Sequence, residues 1–273
     1  MPAEIHHSYP LRPIGLVRCH TRYRYEVPRQ GVMGEGNQAT IELENDADLR
    51  QGVADLNGFD RVWILFIFHL NEDWRPRVQP PHARMKKVGV FATRSPHRPN
   101  RLGLSCVELV SVDRDTGRLQ IRNHDLLDRT PVVDIKPYVP YADAFPEAHT
   151  GWRAEHPLTP YDIQFDTLAS QQMSWIQETT SFDLVNFVRV QLRYDPTDAQ
   201  RKRITPVPRI DGLYDIAFRT WRIRYRIDEA ARHIRIEHVR SGYPEAELQN
   251  NTDPHSDKAA HRDFRRRWPA TDE

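Results

Sequence analysis

The chain has 273 residues, with 39 Lys and Arg against 38 Asp and Glu, for a net charge of +1. Its 38% hydrophobic and 10% aromatic content excludes an intrinsically disordered chain and suits one larger domain plus a smaller one. The longest apolar run, Val62–Phe68, is too short to cross a bilayer, and the two cysteines cannot form a zinc or redox motif, so we expect a soluble, cytoplasmic protein without a metal site.

The first 140 residues predict strands and turns, with one short helix over Ala47–Leu56 capped by Asn45 or Asp46. The apolar residues of Val62–Phe68 predict a strand buried on both faces. The strand–helix alternation of a doubly wound sheet is absent, so residues 1–145 are expected to form a mainly β domain, a sandwich or a barrel. Seven strands are predicted, at Ile14–Val17, Ala39–Leu43, Arg61–Phe68, Lys87–Thr93, Leu104–Val110, Arg118–Arg122 and Val132–Tyr138.

The second half of the chain begins with an acidic, proline-bearing stretch, and residues 146–181 are expected to be a linker. Residues 182–240 predict a small α+β domain, because Phe182–Leu192 has helical periodicity and Tyr214–Asp228 alternates at period two. Its arginines Arg222, Arg224 and Arg226 then share one strand face, and His233–Val239 is the expected hairpin partner. Residues 241–273 are expected to be a polar, poorly ordered tail.

A cationic stretch joins two of the predicted strands. No acid occurs between Asp73 and Glu108, whereas eight cations do, and three of them belong to the turn "RSPHRPNRLGLS". Such a stretch attracts a phosphate or a carboxylate, or it is a solvated face that pairs with acids from elsewhere. The eight cations are Arg75, Arg77, Arg84, Lys86, Lys87, Arg94, Arg98 and Arg101.

The segment "DLLDRTPVVDIKPY" carries a second group of charges. Asp134 and Lys136 are two residues apart and therefore share one face of a strand. They form either an ion pair on a sheet edge or a proton acceptor beside a cation that tunes it.

Five segments in order resemble the TrmO family, over roughly Pro13–Asp143: "PRQG", "LFIFH", "WRPRVQPP", "VGVFATRSPHRPNRLGLS" and "DLLDRTPVVDIKPYVPYAD". "FVRVQLRYDP" and "FRTWRIRYRI" resemble the smaller C-terminal domain of that family. Two stretches depart from its pattern: Arg101 stands where many members have a proline, and Asp195–Arg203 differs from the usual sequence.

The resemblance implies a TsaA-like antiparallel β-barrel that binds S-adenosylmethionine without a Rossmann sheet. It implies methylation of N6 of N6-threonylcarbamoyladenosine at position 37, next to the anticodon of threonine tRNA. It also implies a homodimer with the donor site near the subunit interface, so the expected partners are tRNA and a second copy of the chain, with no membrane.

The resemblance also implies a set of residues that bind the methyl donor. Pro28, Arg29 and Gln30 match the loop that lines the donor. Backbone groups of the segment from His124 to Leu127 are expected at the adenine. The donor-binding residues implied by the resemblance are Pro28, Arg29, Gln30, His69, Leu70, Arg94, Leu104, His124, Asp125, Leu126 and Leu127.

The chemistry of methyl transfer to nitrogen suggests further roles, because the proton on the nitrogen must leave. Asp134 is the candidate acceptor and Lys136 its modulator, with Arg98 as a catalytic clamp on an anionic group. Arg101 and the row Arg222, Arg224 and Arg226 are candidates for contacts with tRNA. A nucleic-acid-binding module without catalysis, and a β-barrel enzyme acting on another anionic substrate, remain alternatives.

Overall fold

The computed structural model describes residues 9–28, 30–34, 36–80, 87–155, 158–198 and 203–269. The chain divides into two compact units, one of residues 1–22 and 29–148 and one of residues 23–28 and 149–273. Of the predicted residues, Arg29, Arg84 and Lys86 lie outside the described part of the chain. Within the described part, no helix combines the length and apolar character that crossing a membrane requires.

The first unit is built around a closed antiparallel barrel, in the strand order β1-β2-β7-β6-β3-β8. A two-stranded ribbon of β4 and β5 and two short helices, α1 and α2, accompany it. The expected mainly β fold is thereby confirmed. The elements are β1 (Gly15–Arg18), β2 (Gln38–Leu43), α1 (Ala47–Gly52), β3 (Arg61–Ile67), β4 (Arg77–Val78), β5 (Val88–Gly89), β6 (Leu102–Asp113), β7 (Arg118–Arg122), β8 (Pro131–Pro137) and α2 (Pro140–Asp143).

The barrel is stabilised by the alternate residues that face inward. Val17, Ile41, Ile64, Val107 and Leu119 have no accessible surface, and burying each such side chain stabilises the fold by about 1.5–3 kcal/mol. A turn held by the Asp113 carboxylate joins β6 to β7, and the predicted cap Asp46 accepts from two backbone N–H groups at the start of α1.

Two strand predictions in this unit are wrong. Lys87–Thr93 forms only the two-residue strand β5, followed by a 3-10 turn over Val90–Ala92, because the chain turns towards the cationic segment there. Strand β3 is not buried on both faces: its residues alternate between buried and half-buried, as in an antiparallel strand with one face towards the core.

The second unit is a five-stranded sheet in the order β10-β11-β12-β13-β9, with β9 parallel to β13 and the other pairs antiparallel. Its core includes Trp221, Ile223 and Tyr225, which have no accessible surface. Its elements are β9 (Asp162–Phe165), α3 (Thr167–Thr180), α4 (Leu184–Leu192), β10 (Ile204–Pro206), β11 (Leu213–Phe218), β12 (Trp221–Asp228), β13 (His233–Ser241), α5 (Glu245–Leu248) and α6 (Lys258–Arg267).

The structure differs from the predicted boundaries of this unit. The linker predicted over residues 146–181 contains β9 and α3, and α3 buries Met173 and Ile176 in the core. The stretch predicted as a loose tail, residues 241–273, contains α6 in its described part, and α6 places Phe264, which is 2% exposed, against the same core. The sequence conceals α6 because two of its buried residues, Lys258 and His261, are polar and are satisfied by hydrogen bonds.

Candidate functional site

The cationic turn uses two of its three arginines to hold its own backbone. Arg98 donates to the carbonyl oxygen of Thr93 at 2.8 Å, and Arg101 donates to the carbonyl oxygen of Asn71 at 3.1 Å. Arg101 has φ of 51°, a conformation that is strained for a non-glycine residue. Arg94 is exposed and close enough to Asp125 to lower the pKa of that carboxyl. The structure thus distinguishes Arg94, which faces an acid, from Arg98 and Arg101, which brace the turn.

A hydrogen bond joins β6, the strand that follows the cationic turn, to the segment that begins at Asp125. The Ser105 hydroxyl donates to Asp125 Oδ1 over 2.5 Å, and Ser105 is only 5% exposed. Burial raises the pKa of Asp125 to about 6, against opposing effects from Ser105 and Arg94. Asp125 is therefore a carboxyl group that can gain or lose a proton near neutral pH. Sequence reasoning gave Ser105 no role, because an inward hydroxyl on a strand has no distinctive sequence pattern.

The neighbouring His124 is fully buried, and burial lowers its pKa to about 4, so its ring is neutral at pH 7. Its Nδ1 accepts from the backbone N–H of Leu126 at 3.2 Å, which assigns the ring proton to Nε2. This bond fixes the backbone of the segment that was expected to contact adenine.

The glycine-rich loop after Gln30 packs on the same segment. A Cβ at Gly31 would lie 2.5 Å from the Asn123 carbonyl oxygen, so only glycine fits there. Gly36 N–H donates to Asn123 Oδ1 at 2.7 Å, and Asn37 Nδ2 donates to the His124 carbonyl at 2.6 Å. The structure therefore brings the loop of Gln30 to the His124 segment. Pro28, two residues earlier, belongs to the second unit.

One buried polar atom at this junction, Asn37 Oδ1, has no hydrogen-bond partner among the described residues, whereas the His124 ring also interacts with the backbone of Gln38. Buried polar atoms are rarely left unpaired, so the unpaired acceptor is consistent with a place where a polar ligand binds. The amino and hydroxyl groups of a nucleoside can donate to such an acceptor.

The pair His69 and Leu70 follows β3 and is tied to the cationic turn through Arg101. Phe68 N–H donates to the Arg101 carbonyl at 2.8 Å, while the Arg101 side chain bonds Asn71 on the other side of the pair. Leu70 is 49% exposed and Leu104, on β6, is 52% exposed. Two hydrogen bonds therefore connect the segments that carry expected donor-binding residues of the first unit. One joins Asn37 to His124, and the other joins Arg101 to Asn71.

Asp134 and Lys136 lie elsewhere on the barrel, on β8. Lys136 Nζ is 2.8 Å from Asp134 Oδ2, and the two side chains are 63% and 43% exposed. Among the described residues, the only other contact of the Asp134 carboxylate is the backbone N–H of Ile135. The structure thus shows the ion pair on a sheet surface and does not join Asp134 to the Ser105–Asp125 bond.

The row Arg222, Arg224 and Arg226 lies on one face of β12, as the period-two pattern predicts, and His233–Val239 is part of its partner strand. Two of the three arginines have acidic partners: Arg224 pairs with Asp215 at 3.1 Å and Arg226 pairs with Glu237 at 2.9 Å. Arg222 instead donates to the backbone carbonyls of Arg219 and Trp221. Acidic side chains therefore balance the charges of Arg224 and Arg226, whereas Arg222 is held by backbone carbonyls.

Comparisons with known proteins agree with this geometry. Residues 16–144 match the family model described as the tRNA-methyltransferase O N-terminal domain. A relative from Escherichia coli, named tRNA (adenine(37)-N6)-methyltransferase, is 33% identical over 82% of this chain and 95% of its own. A Pyrococcus abyssi relative, named "Probable S-adenosyl-L-methionine-binding protein", is 36% identical over 52% of this chain and 74% of its own.

A solved structure is similar to this chain over most of its length. The crystal structure of TrmO from Pseudomonas aeruginosa is 30% identical, with a TM-score of 0.63, and the match covers 85% of this chain and 98% of that one. The resemblance to the TrmO family that the sequence motifs indicate is thereby confirmed. This chain belongs to the TrmO family.

Proposed function

We propose that the chain transfers a methyl group from S-adenosylmethionine to N6 of adenosine 37 in tRNA. The observation that carries the proposal is a set of three hydrogen bonds that connect the motif-bearing parts of the first unit. They join Asn37 to His124, Arg101 to Asn71 and Ser105 to Asp125. The relative that shares nearly its full length with this chain is named for this reaction. Bound S-adenosylmethionine supplies an electrophilic methyl group on a sulfonium ion.

The residues of the first unit suit the binding of this donor. The loop of Gln30 and the His124 segment are held together by backbone and amide hydrogen bonds, with one buried acceptor, Asn37 Oδ1, left over among the described residues. Leu70 and Leu104 offer exposed apolar surface on either side of the cationic turn. Holding the reactants in a reactive orientation lowers the activation free energy by about 7–11 kcal/mol in the reactions that depend on it most.

The finer substrate that we propose is N6-threonylcarbamoyladenosine in threonine tRNA. Its threonyl carboxylate is an anion, and Arg94 is the arginine of the turn whose guanidinium holds no backbone carbonyl among the described residues. A guanidinium binds a carboxylate through two parallel hydrogen bonds. We therefore assign Arg94, instead of Arg98, to the threonyl carboxylate. Arg98 is a positioning residue, because it holds the backbone of the turn.

We assign the proton acceptor to Asp125. The N6 nitrogen of an acylated adenine shares its lone pair with the carbonyl group, so the nitrogen becomes nucleophilic as its proton leaves. Asp125 combines a half-buried position, the Ser105 hydrogen bond and a pKa raised by burial to about 6, which suits a general base at neutral pH. Asp134, the acceptor nominated from sequence, is exposed and paired with Lys136, and its role stays a prediction.

A homodimer is also part of the proposal, and the outer face of β3 and β6 supports it. Leu65 pairs with Leu104 and Ile67 pairs with Leu102, which places four apolar side chains together on the outside of the barrel. Leu102 and Leu104 are 37% and 52% exposed, and an apolar patch of this kind on a soluble barrel typically marks an interface. Sedimentation equilibrium should give about twice the chain mass of 32.1 kDa, and a mass of one chain at every concentration would contradict the dimer.

One experiment tests the reaction and its finer substrate together. The purified chain is incubated with S-adenosylmethionine and threonine tRNA, either bearing threonylcarbamoyladenosine or transcribed without it, and the nucleosides are analysed by mass. We expect methylation of the modified tRNA alone, and S-adenosylmethionine should raise the melting temperature of the chain because a ligand stabilises the state that it binds. Methylation of both RNAs would contradict the finer substrate and leave only the proposal that adenosine 37 is methylated. Donor binding without methylation of either RNA would overturn the proposed reaction.

A further inference from the structure

The outer face of the sheet in the second unit carries a row of arginines that crosses four strands. Ala217 on β11 pairs with Arg222 on β12, and Arg222 pairs with Arg240 on β13. On the other side of Ala217, its N–H donates to the carbonyl oxygen of Arg203, the residue before β10, at 3.2 Å. The neighbouring row of the sheet, which includes Ile223, is buried. The three arginines therefore lie in one line, separated only by the small side chain of Ala217.

This row carries more positive charge than its neighbours neutralise. Asp215 is shared between Arg224, at 3.1 Å, and Arg240, at 2.8 Å. Among the residues that the structure describes, neither Arg203 nor Arg222 forms an ion pair. Within the described part of the chain, this face brings the guanidinium groups of Arg203, Arg222, Arg224 and Arg240 together around the Asp215 carboxylate. Burial lowers the pKa of Arg222, and repulsion from Arg203 and Arg240 lowers it further against the attraction of Asp215, so an anion bound beside Arg222 would be favoured.

Aromatic rings lie at the Arg203 end of this row. The rings of Tyr23 and Tyr25 are stacked with centroids 5.4 Å apart and an angle of 8°, and Tyr23 is 47% exposed. The Arg203 guanidinium lies over the Tyr25 ring at 5.2 Å. Both tyrosines belong to the second unit, where Glu26, whose side chain is 3% exposed, is held by Arg219 at 2.6 Å. The tyrosine pair is therefore anchored by a buried ion pair.

We propose that Arg203, Arg222, Arg240 and Tyr23 form a binding face for unpaired nucleotides of RNA, here called the arginine–tyrosine face. Guanidinium groups in a row bind successive phosphates, while an exposed aromatic ring stacks on a base. An acidic protein surface would use the cations but not the stacked rings, so the combination favours single-stranded nucleic acid. The inference rests on the proposed function in that the RNA is the tRNA substrate.

Two features of the sequence relate to the arginine–tyrosine face. The row differs from the one that the period-two pattern nominates, because Arg203 comes from the residue before β10, Arg240 comes from β13 and Arg226 is paired with Glu237. Tyr23 stands only a few residues before the loop of Pro28, Arg29 and Gln30 that is expected to line the donor. One continuous segment of the chain therefore carries both the proposed base platform and the proposed donor loop.

The test measures RNA binding without methyl transfer. An anticodon stem-loop of threonine tRNA, transcribed without modifications, is titrated with the full-length chain, and fluorescence anisotropy is followed at several salt concentrations. The double variant Arg203→Gln/Arg222→Gln should weaken binding about 10-fold and reduce the slope of log K against log salt by about 1.4, since each lost phosphate contact in a single strand contributes about 0.7. Tyr23→Ala should weaken binding about 10-fold, and Tyr23→Phe, which keeps the ring, should bind as the wild type does.

The matched control removes the same charge from another basic cluster of the same unit. Arg266 and Arg267 are exposed on α6, and Arg266→Gln/Arg267→Gln should change the affinity less than threefold. Equal losses in the two double variants would overturn the arginine–tyrosine face, and so would a Tyr23→Phe variant that loses as much affinity as Tyr23→Ala. Melting temperatures establish that each variant is folded.

Failure of this inference can be told apart from failure of the proposed function. If the wild type methylates tRNA but both double variants bind the stem-loop equally, the arginine–tyrosine face is wrong and the methyltransferase proposal stands. If the wild type methylates no tRNA while the Arg203→Gln/Arg222→Gln variant alone loses RNA affinity, the arginine–tyrosine face stands and the proposed reaction fails.

Discussion

Replacing Asp125 by Asn should lower the turnover of methyl transfer at least about 100-fold, the usual contribution of a general base. The change keeps the side-chain oxygen that accepts from the Ser105 hydroxyl, so the junction between β6 and the His124 segment should persist. Donor affinity, measured by calorimetry without tRNA, should stay within about threefold of the wild type if the role of Asp125 is proton transfer. Single-turnover kinetics with modified tRNA give the rate.

The pH profile gives an independent test of this role. The wild-type rate should rise with a midpoint of about 6, the pKa to which burial raises Asp125, because the carboxyl must be ionised to accept a proton. The groups around it are Ser105, the cation Arg94 and the neutral ring of His124, whose pKa of about 4 keeps it out of this range. In Asp125→Asn the rising limb should disappear.

The stability of the variant should move in the opposite direction to its activity. The folded pKa of Asp125 lies above the value of 3.8 for an ordinary aspartate, so its stabilising contribution is complete below pH 3.8 and is lost as the pH rises through about 6. At pH 7 the Asn variant, which carries no charge, should be at least as stable as the wild type. A low rate in a more stable protein excludes misfolding as the cause.

Asp134→Asn is the control, since Asp134 is the carboxylate that the sequence nominates. Its exposed ion pair with Lys136 contributes little to stability, about 0–1 kcal/mol, and we expect turnover within about threefold of the wild type. A large loss in Asp134→Asn with a normal rate in Asp125→Asn would reverse the assignment. Loss of donor binding in Asp125→Asn would instead make Asp125 a residue of the donor site.

Phe264→Ala should destabilise the second unit by about 3–5 kcal/mol, the usual cost of deleting a buried phenyl ring. Phe264 is 2% exposed on α6, and its ring lies 5.0 Å from the Trp221 ring, 5.8 Å from Trp175 and 4.9 Å from Trp268. Removing the phenyl group leaves a cavity between the sheet and the last helix. Thermal or denaturant unfolding of the full chain measures the loss.

Arg266→Ala provides the comparison on the same helix. The Arg266 side chain is 78% exposed and, within the part of the chain that the structure describes, pairs only with Asp263, three residues earlier, so its loss should change stability by no more than about 0.5 kcal/mol. If Phe264→Ala were as mild as Arg266→Ala, α6 would not be part of the folded unit, and residues 241–273 would be the loose tail that their polarity predicts.

Much of the fold follows from local patterns that the sequence displays. Period-two alternation predicts β12 with its arginines outside, and its hairpin partner β13. Turn and cap residues such as Asp113 and Asp46 predict where strands and helices begin and end, because their side chains bond the neighbouring backbone. Where the pattern fails, as at Lys87–Thr93 and at α6, the deciding contacts come from residues far away in the chain.

By itself the sequence determined the family and the mainly β class, because those depend on motifs and on neighbouring residues. The tertiary structure alone decided which members of each segment face one another. It joined Ser105 to Asp125, left Arg94 rather than Arg98 available, and aligned Arg203 with Arg222 and Arg240 across four strands. The physical reason is that charge, burial and hydrogen bonding depend on distances through space, and the register of a barrel or sheet sets those distances between residues that are remote in sequence.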